Sequence, residues 1–183
     1  MKEAQGTLVD IGARDRILKS YLPDTIDYKS ADLSDGHDYQ WDLEKPIDCE
    51  DGSFDFVTCL DVLEHVEQVH EVLKELLRIA KKEVYISFPN MGFLPFRVNF
   101  LLKGKISGKY SLLPEHQGDR HRWLTIYDQI TNFVKSNCDS RWELEQYNLL
   151  NSFTRFEKFV TYLPLPAALK TYTVLYKISK KNS

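Results

Sequence analysis

A strand, a helix and a second strand follow one another in the middle of the chain, and this unit constrains the fold most strongly. The apolar runs SFDFVTCL (53–60) and EVYISFP (83–89) are rich in β-branched and aromatic residues, which predicts two buried strands. Between them, apolar residues recur at steps of three and four through DVLEHVEQVHEVLKELLRIAKK (61–82), which predicts a helix with one buried face. Such a unit almost always crosses over right-handed into a parallel sheet, so we predict an α/β protein.

Further elements are predicted on both sides of this unit. Before it lie a strand at 7–11, a helix at 13–22, a strand at 26–33 and a short strand ending near Asp42; after it lie a helix at 125–137 and strands at 141–150 and 171–179. No internal repeat is visible. A chain of 183 residues is long enough for one domain with a full core, so we expect residues 1–183 to form a single domain.

The composition is that of a soluble globular protein, with 43% hydrophobic and 28% charged residues. No run approaches the roughly 18 apolar residues that span a bilayer, and the start, MKEAQGTLVDIG, lacks the features of a secretion signal. The three cysteines are odd in number and lack C-x-x-C spacing, so they indicate neither a disulfide framework nor a zinc site. These features predict a cytoplasmic protein.

Charge is segregated along the chain, although the net charge is only −3. Residues 27–67 contain 13 acidic and 2 basic side chains, whereas residues 97–122 contain 6 basic and 2 acidic ones. The acidic zone disfavours a nucleic-acid partner and favours a cationic ligand, while the basic segment could meet an anionic one. The alternative is that both segments form charged faces that are merely solvated.

The ends of the predicted strands indicate a nucleoside site. In open α/β sheets the ligand lies beyond the carboxyl ends of the strands, where strand order reverses. LVDIGARDR (8–16) has Asp10 at the end of a strand and then Gly12, but it lacks the second and third glycines of a pyrophosphate-binding loop. Asp32 lies at the spacing where an acidic side chain meets a ribose diol, and Asp42 could accept a hydrogen bond from an exocyclic amino group such as that of adenine. An adenosyl group that carries a sulfonium fits these acidic surroundings.

At these residues the sequence resembles the class I S-adenosylmethionine-dependent methyltransferases. The resemblance rests on LVDIG, ADLS, WDLEKPI and above all DGSFDFVTCLDVLEHV, and it covers residues 7 to about 90; HRWLTIYDQI is similar to a later His-containing segment of the same proteins. Within the class the chain looks most like the methionine-biosynthesis W proteins. The resemblance implies a Rossmann-like, mostly parallel sheet of seven strands with helices on both faces and with the last strand antiparallel beside the fifth.

The resemblance also implies roles for particular residues. Asp10 and Gly12 would lie against the amino-acid part of S-adenosylmethionine, and Asp32 would hold the ribose. Asp42 and Leu43 would flank the adenine, and Leu60 would line the cleft. His65 and His121 are the candidate catalytic residues, because an imidazole can act as a general base near neutral pH when the methyl acceptor is a weak nucleophile. Arg14 and Arg16 depart from the family pattern, which often has glycine there, so close backbone approach would depend on Gly12 alone.

Asp61, Glu64 and His65 raise the question of a metal. On a helix these side chains would share one face and could bind a divalent ion, as a similar cluster does in ubiquinone-pathway and small-RNA methyltransferases. The alternative is a capping box, with Asp61 at the start of the helix and Glu64 reaching back. We favour the cap and expect no metal.

The segment 91–122 breaks the α/β pattern and is predicted to form an insertion or lid over the cleft. Its apolar and basic residues at 93–109 could line a substrate pocket, pack in the core or make peripheral contact with a membrane. Three functions remain. The chain could methylate a small-molecule or lipid- or sugar-linked acceptor and release S-adenosylhomocysteine. It could instead be a non-catalytic partner of another enzyme, since the methionine-biosynthesis W proteins work alongside an acyltransferase. A dinucleotide-dependent oxidoreductase is the least favoured.

Overall fold

The protein is built on one seven-stranded sheet. The computed structural model describes residues 5–106, 110, 115, 120–150 and 154–181. The strands are β1 (Gly6–Ile11), β2 (Ile26–Asp32), β3 (Tyr39–Gln40), β4 (Phe54–Leu60), β5 (Ala80–Pro89), β6 (Trp142–Leu150) and β7 (Thr171–Lys180). They lie in the order β3-β2-β1-β4-β5-β7-β6, and β7 is antiparallel to both of its neighbours. The predicted fold, with its reversed last strand beside the fifth, is confirmed.

Within the described residues, five α-helices accompany the sheet: α1 (Val69–Ile79), α2 (Leu94–Lys103), α3 (Tyr127–Asn137), α4 (Arg155–Tyr162) and the short α5 (Ala167–Lys170). Helices α1 and α3 pack against each other and against the sheet, α1 on β4 and β5 and α3 on β7. The opposite face carries a smaller cluster of Leu8, Ile26 and Phe56, with Leu18 and Leu22 from a 3₁₀ turn packed against it.

The main core lies between the sheet and α1. Leu73, Leu76 and Ile79 of α1 are fully buried against Val57 and Val84 of the central strands. Their burial explains the three- and four-residue spacing in the sequence, because that spacing places them on one face of the helix. The core fixes β1, β2 and β4 side by side, and so fixes the edge at which their carboxyl ends meet.

The helix predicted over residues 61–82 is wrong in its extent. A 3₁₀ turn at Leu63–His65 is followed by extended backbone at Val66, and α1 begins only at Val69. The cause is a tertiary contact: the carbonyl of Glu64 accepts hydrogen bonds from the backbone N–H groups of Arg122 (2.8 Å) and Trp123 (3.2 Å). A carbonyl that bonds to a distant segment does not continue a helix.

The predicted capping box is therefore wrong as well. Asp61 has a left-handed φ of 53°, and its carboxylate accepts a hydrogen bond from the hydroxyl of Ser87 at 2.7 Å. The 3₁₀ turn at Leu63–His65 has Val62 at its N-cap position and no side-chain cap. Asp61, Glu64 and His65 do not share a helical face.

Two other segments differ from the sequence prediction. Residues 13–22 form only a 3₁₀ turn at Ile17–Tyr21 in place of the predicted helix. The connector between β6 and β7 contains α4, which begins with a capping box in which Thr154 accepts from the backbone N–H of Glu157 and the Glu157 carboxylate accepts from that of Thr154.

The segment 91–122 is only partly described, since residues 107–109, 111–114 and 116–119 lie outside the described residues. The apolar residues of 93–109, for which the sequence left a pocket, the core and a membrane surface open, differ in their burial. Phe93 is fully buried, whereas Phe100, Leu101 and Leu102 on α2 are exposed. In the described part of the chain, no helix is both long enough and apolar enough to cross a membrane.

Candidate functional site

A cleft of about 860 Å³ opens at the carboxyl ends of β1, β2 and β4. This is the position that an open α/β sheet offers to a ligand. Six of the eight sequence-predicted site residues line it, namely Gly12, Asp32, Asp42, Leu43, His65 and His121. We call Gly12, Asp32 and Asp42 the cofactor end, and Glu64, His65 and His121 the histidine end.

The turn after β1 requires a glycine. Gly12 has a φ of 75°, and its N–H donates to the carbonyl of Ala31 at 2.8 Å. A Cβ at this position would lie 2.3 Å from Cγ2 of Val62. Only a residue without a side chain fits between β1 and the turn that carries Glu64 and His65.

Asp32 ends β2, and its carboxylate holds the turn after β1 in place. Its carboxylate accepts from the backbone N–H of Arg14 (3.1 Å) and from the N–H and hydroxyl of Ser34 (3.0 and 2.9 Å). Partial burial acts to raise the pKa of Asp32, but the hydrogen bonds from Ser34 and Arg14 outweigh it and hold the pKa below its ordinary value. The side chain is therefore an ionised acceptor at the edge of the cleft.

Asp42 follows β3 and is also ionised. Lys45 lies 3.0 Å from its carboxylate, and the backbone N–H of Glu44 donates to it at 3.1 Å. The contact with Lys45, followed by the hydrogen bond from Glu44, lowers the pKa of Asp42. Trp41, which stacks on Tyr39 with ring centroids 4.7 Å apart, lines the cleft beside it.

Asp10 and Leu60 do not line the cleft. Asp10 is 6% exposed, and its carboxylate accepts from the hydroxyls of Thr58 (2.7 Å) and Tyr28 (2.8 Å). Burial raises the pKa of Asp10 in spite of these two hydrogen bonds. The side chain ties β1 to β2 and β4, and its predicted contact with a cofactor stays a prediction, as does that of Leu60.

The histidine end joins two segments that are far apart in sequence. Oε1 of Glu64 lies 4.0 Å from Nε2 of His65 and 3.8 Å from Nε2 of His121, and the two imidazole rings meet edge to face. Nδ1 of His65 donates to the carbonyl of Arg120 at 2.9 Å. These three side chains form the group within the described residues that could hold a metal ion.

Sequence reasoning missed several residues of the cleft. Trp41, Glu44, Arg120 and Arg122 line it, and Arg122 donates to the carboxylate of Glu67 at 3.0 Å. The tryptophan lies directly before Asp42, so its position was a readable signal. The arginines come from the segment before α3, which is held at the cleft by backbone bonds to Glu64 that the sequence does not reveal.

The sheet order with a reversed last strand, together with a cleft at the carboxyl ends of β1, β2 and β4, defines the class I S-adenosylmethionine-dependent methyltransferase fold. The family described as methionine biosynthesis protein MetW matches residues 35–156, about two thirds of the chain. The chain belongs to the MetW family. Among the curated proteins, none matches it.

Solved structures share the fold at low sequence identity. The small RNA methyltransferase HEN1 is 16% identical with a TM-score of 0.68; the match covers 100% of this chain but 24% of HEN1, so this chain spans about a quarter of that protein. A methyltransferase from Thermotoga maritima is 15% identical with a TM-score of 0.59, over 97% of this chain and 84% of its own. A methyltransferase from Haloferax volcanii, solved with the Trm112 activator, is 16% identical with a TM-score of 0.57, over 98% and 84%. These likenesses establish the fold alone.

Proposed function

We propose that the chain transfers a methyl group from S-adenosylmethionine to a small-molecule or lipid- or sugar-linked acceptor. The observation that carries this proposal is the cofactor end, where a glycine turn and two ionised carboxylates follow neighbouring strands and line one cleft. Ionised carboxylates suit a ligand that carries a cationic sulfonium and a ribose diol. They do not suit a pyrophosphate.

Each residue of the cofactor end would contact a different part of S-adenosylmethionine. Gly12 would allow the methionine part to approach the backbone, and Asp32 would accept two hydrogen bonds from the ribose hydroxyls. Asp42 would accept from the adenine amino group, with Leu43 against the ring. Asp10 and Leu60 complete the proposed set at the ends of β1 and β4, where Asp10 holds the strand that leads into Gly12.

The histidine end supplies the proposed proton acceptor. When bound, S-adenosylmethionine supplies an electrophilic methyl group, which forms a bond to the acceptor's nucleophilic atom while the electron pair of the broken carbon–sulfur bond stays on sulfur. An acceptor hydroxyl must lose its proton in this step, and the imidazole of His65 or His121 would take it. The rest of the rate would come from holding acceptor and methyl group in line.

An exposed apolar surface on α2 supports a lipid-linked acceptor. Leu101 and Leu102 of α2 are 83% and 75% exposed, and Lys103 and Lys105 follow them directly. Apolar side chains next to cationic ones suit peripheral contact with an anionic membrane. Sedimentation with vesicles that contain anionic lipid would test this contact, and we expect Leu101→Glu to reduce the sedimented fraction. Equal sedimentation of both proteins would remove α2 from the acceptor site.

Calorimetric titration with S-adenosylmethionine tests the proposed function directly. We expect micromolar binding of S-adenosylmethionine and S-adenosylhomocysteine and no binding of NAD. Asp32→Ala should lose two charge-assisted hydrogen bonds, a cost of about 2 to 4 kcal/mol, or about 30- to 900-fold in affinity. Asp35→Ala is the matched control, because Asp35 is exposed and does not line the cleft.

The alternative is a non-catalytic protein that keeps the fold and serves another enzyme. Membership of the MetW family gives this alternative its weight. A folded chain that binds neither S-adenosylmethionine nor S-adenosylhomocysteine would favour it over methyl transfer.

A further inference from the structure

We propose that Glu64, His65 and His121 form a binding site for one divalent first-row transition-metal ion. The inference does not rest on methyl transfer, because it concerns only the three side chains of the histidine end. It reverses our expectation from sequence, in which a helix cap accounted for Glu64 and no metal was expected.

The spacing of the ligand atoms fits an ion. One atom from each side chain lies within 4.8 Å of the others, and Oε1 of Glu64 is 3.8 and 4.0 Å from the two Nε2 atoms. Two ligands on opposite sides of an ion are about 4.2 Å apart when each bond is about 2.1 Å. Small rotations of the side chains would bring all three atoms to bonding distance.

The backbone holds the two segments of the site together. The carbonyl of Glu64 accepts from the N–H groups of Arg122 and Trp123, and the indole N–H of Trp123 donates to the carbonyl of Val66 at 2.7 Å. The two residues that follow His121 are thus fixed to the residues on either side of His65. The geometry of the cluster belongs to the folded backbone, so the site exists before an ion arrives.

The hydrogen bonding of His65 prepares it as a ligand. Its Nδ1 donates to the carbonyl of Arg120, which leaves the lone pair on Nε2 when the ring is neutral. Nε2 is the atom that faces Glu64. A backbone carbonyl that accepts from the other ring nitrogen, and so fixes the imidazole, is the usual companion of a metal-bound histidine.

The burial of Glu64 calls for a positive charge. Its side chain is 1% exposed, and a buried carboxylate is costly unless a cation balances it. The groups that surround Oε1 within 4.0 Å in the described structure include two imidazoles, which balance the charge either by binding a proton or by sharing an ion. Both imidazoles line the cleft, so an ion could reach the site from solvent and would keep positions open for a further ligand.

The ligand set selects the kind of ion. Two imidazoles and one carboxylate favour Mn²⁺, Fe²⁺, Co²⁺ or Zn²⁺, whereas Mg²⁺ and Ca²⁺ prefer oxygen ligands. Asp61 also lines the cleft, but its carboxylate accepts a hydrogen bond from the hydroxyl of Ser87. The cluster therefore has three protein ligands, Glu64, His65 and His121. With an ion bound, the imidazoles of His65 and His121 would be ligands rather than proton acceptors, and the ion would instead act as a Lewis acid toward an acceptor oxygen.

Calorimetric titration of the untagged chain with CoCl₂ tests the site, with MgCl₂ as the comparison ion. We expect one Co²⁺ per chain with a micromolar Kd and at least 100-fold weaker binding of Mg²⁺. Glu64→Gln and His121→Ala should each weaken Co²⁺ binding at least tenfold. His70→Ala and Glu71→Gln should not, because both residues are exposed on α1 and lie outside the cluster.

Two results would overturn the metal site. One is the absence of Co²⁺ binding by the folded wild-type chain, which would make the cluster an internal pair of carboxylate and protonated imidazole. The other is wild-type affinity in a folded His121→Ala variant. If circular dichroism shows that Glu64→Gln does not fold, the Co²⁺ affinities of His65→Ala and His121→Ala test the site instead. Titration with S-adenosylmethionine on the same samples keeps the two proposals separate, since either ligand can bind without the other.

Discussion

The two ends of the cleft hold their carboxylates in opposite ways. At the cofactor end, Asp32 and Asp42 are partly exposed and accept hydrogen bonds from the backbone of their own turns, with Lys45 beside Asp42. At the histidine end, the Glu64 side chain is 1% exposed and meets imidazoles, one of which comes from a segment about 55 positions away.

This difference implies different tasks. A carboxylate whose pKa is lowered by neighbouring N–H groups remains an acceptor at neutral pH and is ready to bind hydroxyl or amino groups. A carboxylate buried against imidazoles requires a proton or an ion nearby, and can exchange one for the other. The cofactor end is suited to recognition, and the histidine end to proton or metal chemistry.

Gly12→Ala should give the largest effect, because Gly12 lies where the two ends meet. Alanine would have to adopt the left-handed backbone conformation of Gly12, and its Cβ would lie 2.3 Å from Cγ2 of Val62, a side chain with few rotamers. We expect a loss of about 2 to 5 kcal/mol of stability, from about 1 to 2 for the backbone and about 1 to 3 for overpacking. Urea unfolding measures the loss, and binding of S-adenosylmethionine should weaken with it.

Gly36→Ala is the control for the backbone component. Gly36 also has a positive φ, of 89°, but nothing lies within 4 Å of its would-be Cβ. It should cost only about 1 to 2 kcal/mol. Equal losses in the two variants would mean that the contact with Val62 relaxes freely and does not define the cleft.

Asp42→Ala should have an intermediate effect. Removing one hydrogen bond between a carboxylate and an amino group costs about 1.5 kcal/mol, so the affinity for S-adenosylmethionine should fall about tenfold. Asp48→Ala, an exposed acid in the following loop, should leave it unchanged. A similar loss in both variants would indicate that only the general negative potential of this region attracts the cofactor.

Affinity for S-adenosylmethionine should change less than twofold between pH 8 and pH 5. The pKa values of Asp32 and Asp42 both lie below their ordinary value of 3.8. A lowered pKa means that the charged form contributes fully above the ordinary pKa, and that its contribution is lost only as the pH falls through the lowered one. Titrations at four pH values check this. A decline between pH 7 and pH 6, where histidines ordinarily titrate, would show that the histidine end acts on the cofactor.

The two ends also differ in how far the sequence predicts them. Gly12, Asp32 and Asp42 each follow a strand whose pattern is clear, and parallel strands bring such positions to one edge, so their place in the cleft could be predicted. The meeting of Glu64 with His121 could not, because it depends on backbone bonds from Arg122 and Trp123. The same bonds shorten the helix predicted over 61–82.

Helix α4 shows a different limit. Its apolar residues Phe156, Phe159 and Tyr162 are exposed, so a search for one buried face does not find the helix. The local signal was present in Thr154 and Glu157, whose T-x-x-E spacing forms the capping box. Local capping was therefore the better guide here, whereas at Asp61 the same kind of pattern misled because Ser87 takes the carboxylate.

His121→Ala should have the smallest effect on cofactor binding. If the two ends are separate, removing an imidazole that contacts Glu64 leaves Asp32 and Asp42 with all of their partners, so the affinity for S-adenosylmethionine should stay within twofold of wild type. The double variant Asp32→Ala/His121→Ala should then bind as weakly as Asp32→Ala alone, which competition with S-adenosylhomocysteine can measure. A further tenfold loss in the double variant would show that the ends are coupled. In that case the imidazole would contribute to holding the cofactor, and Glu64 would be better described as a member of the cofactor site than of a separate centre.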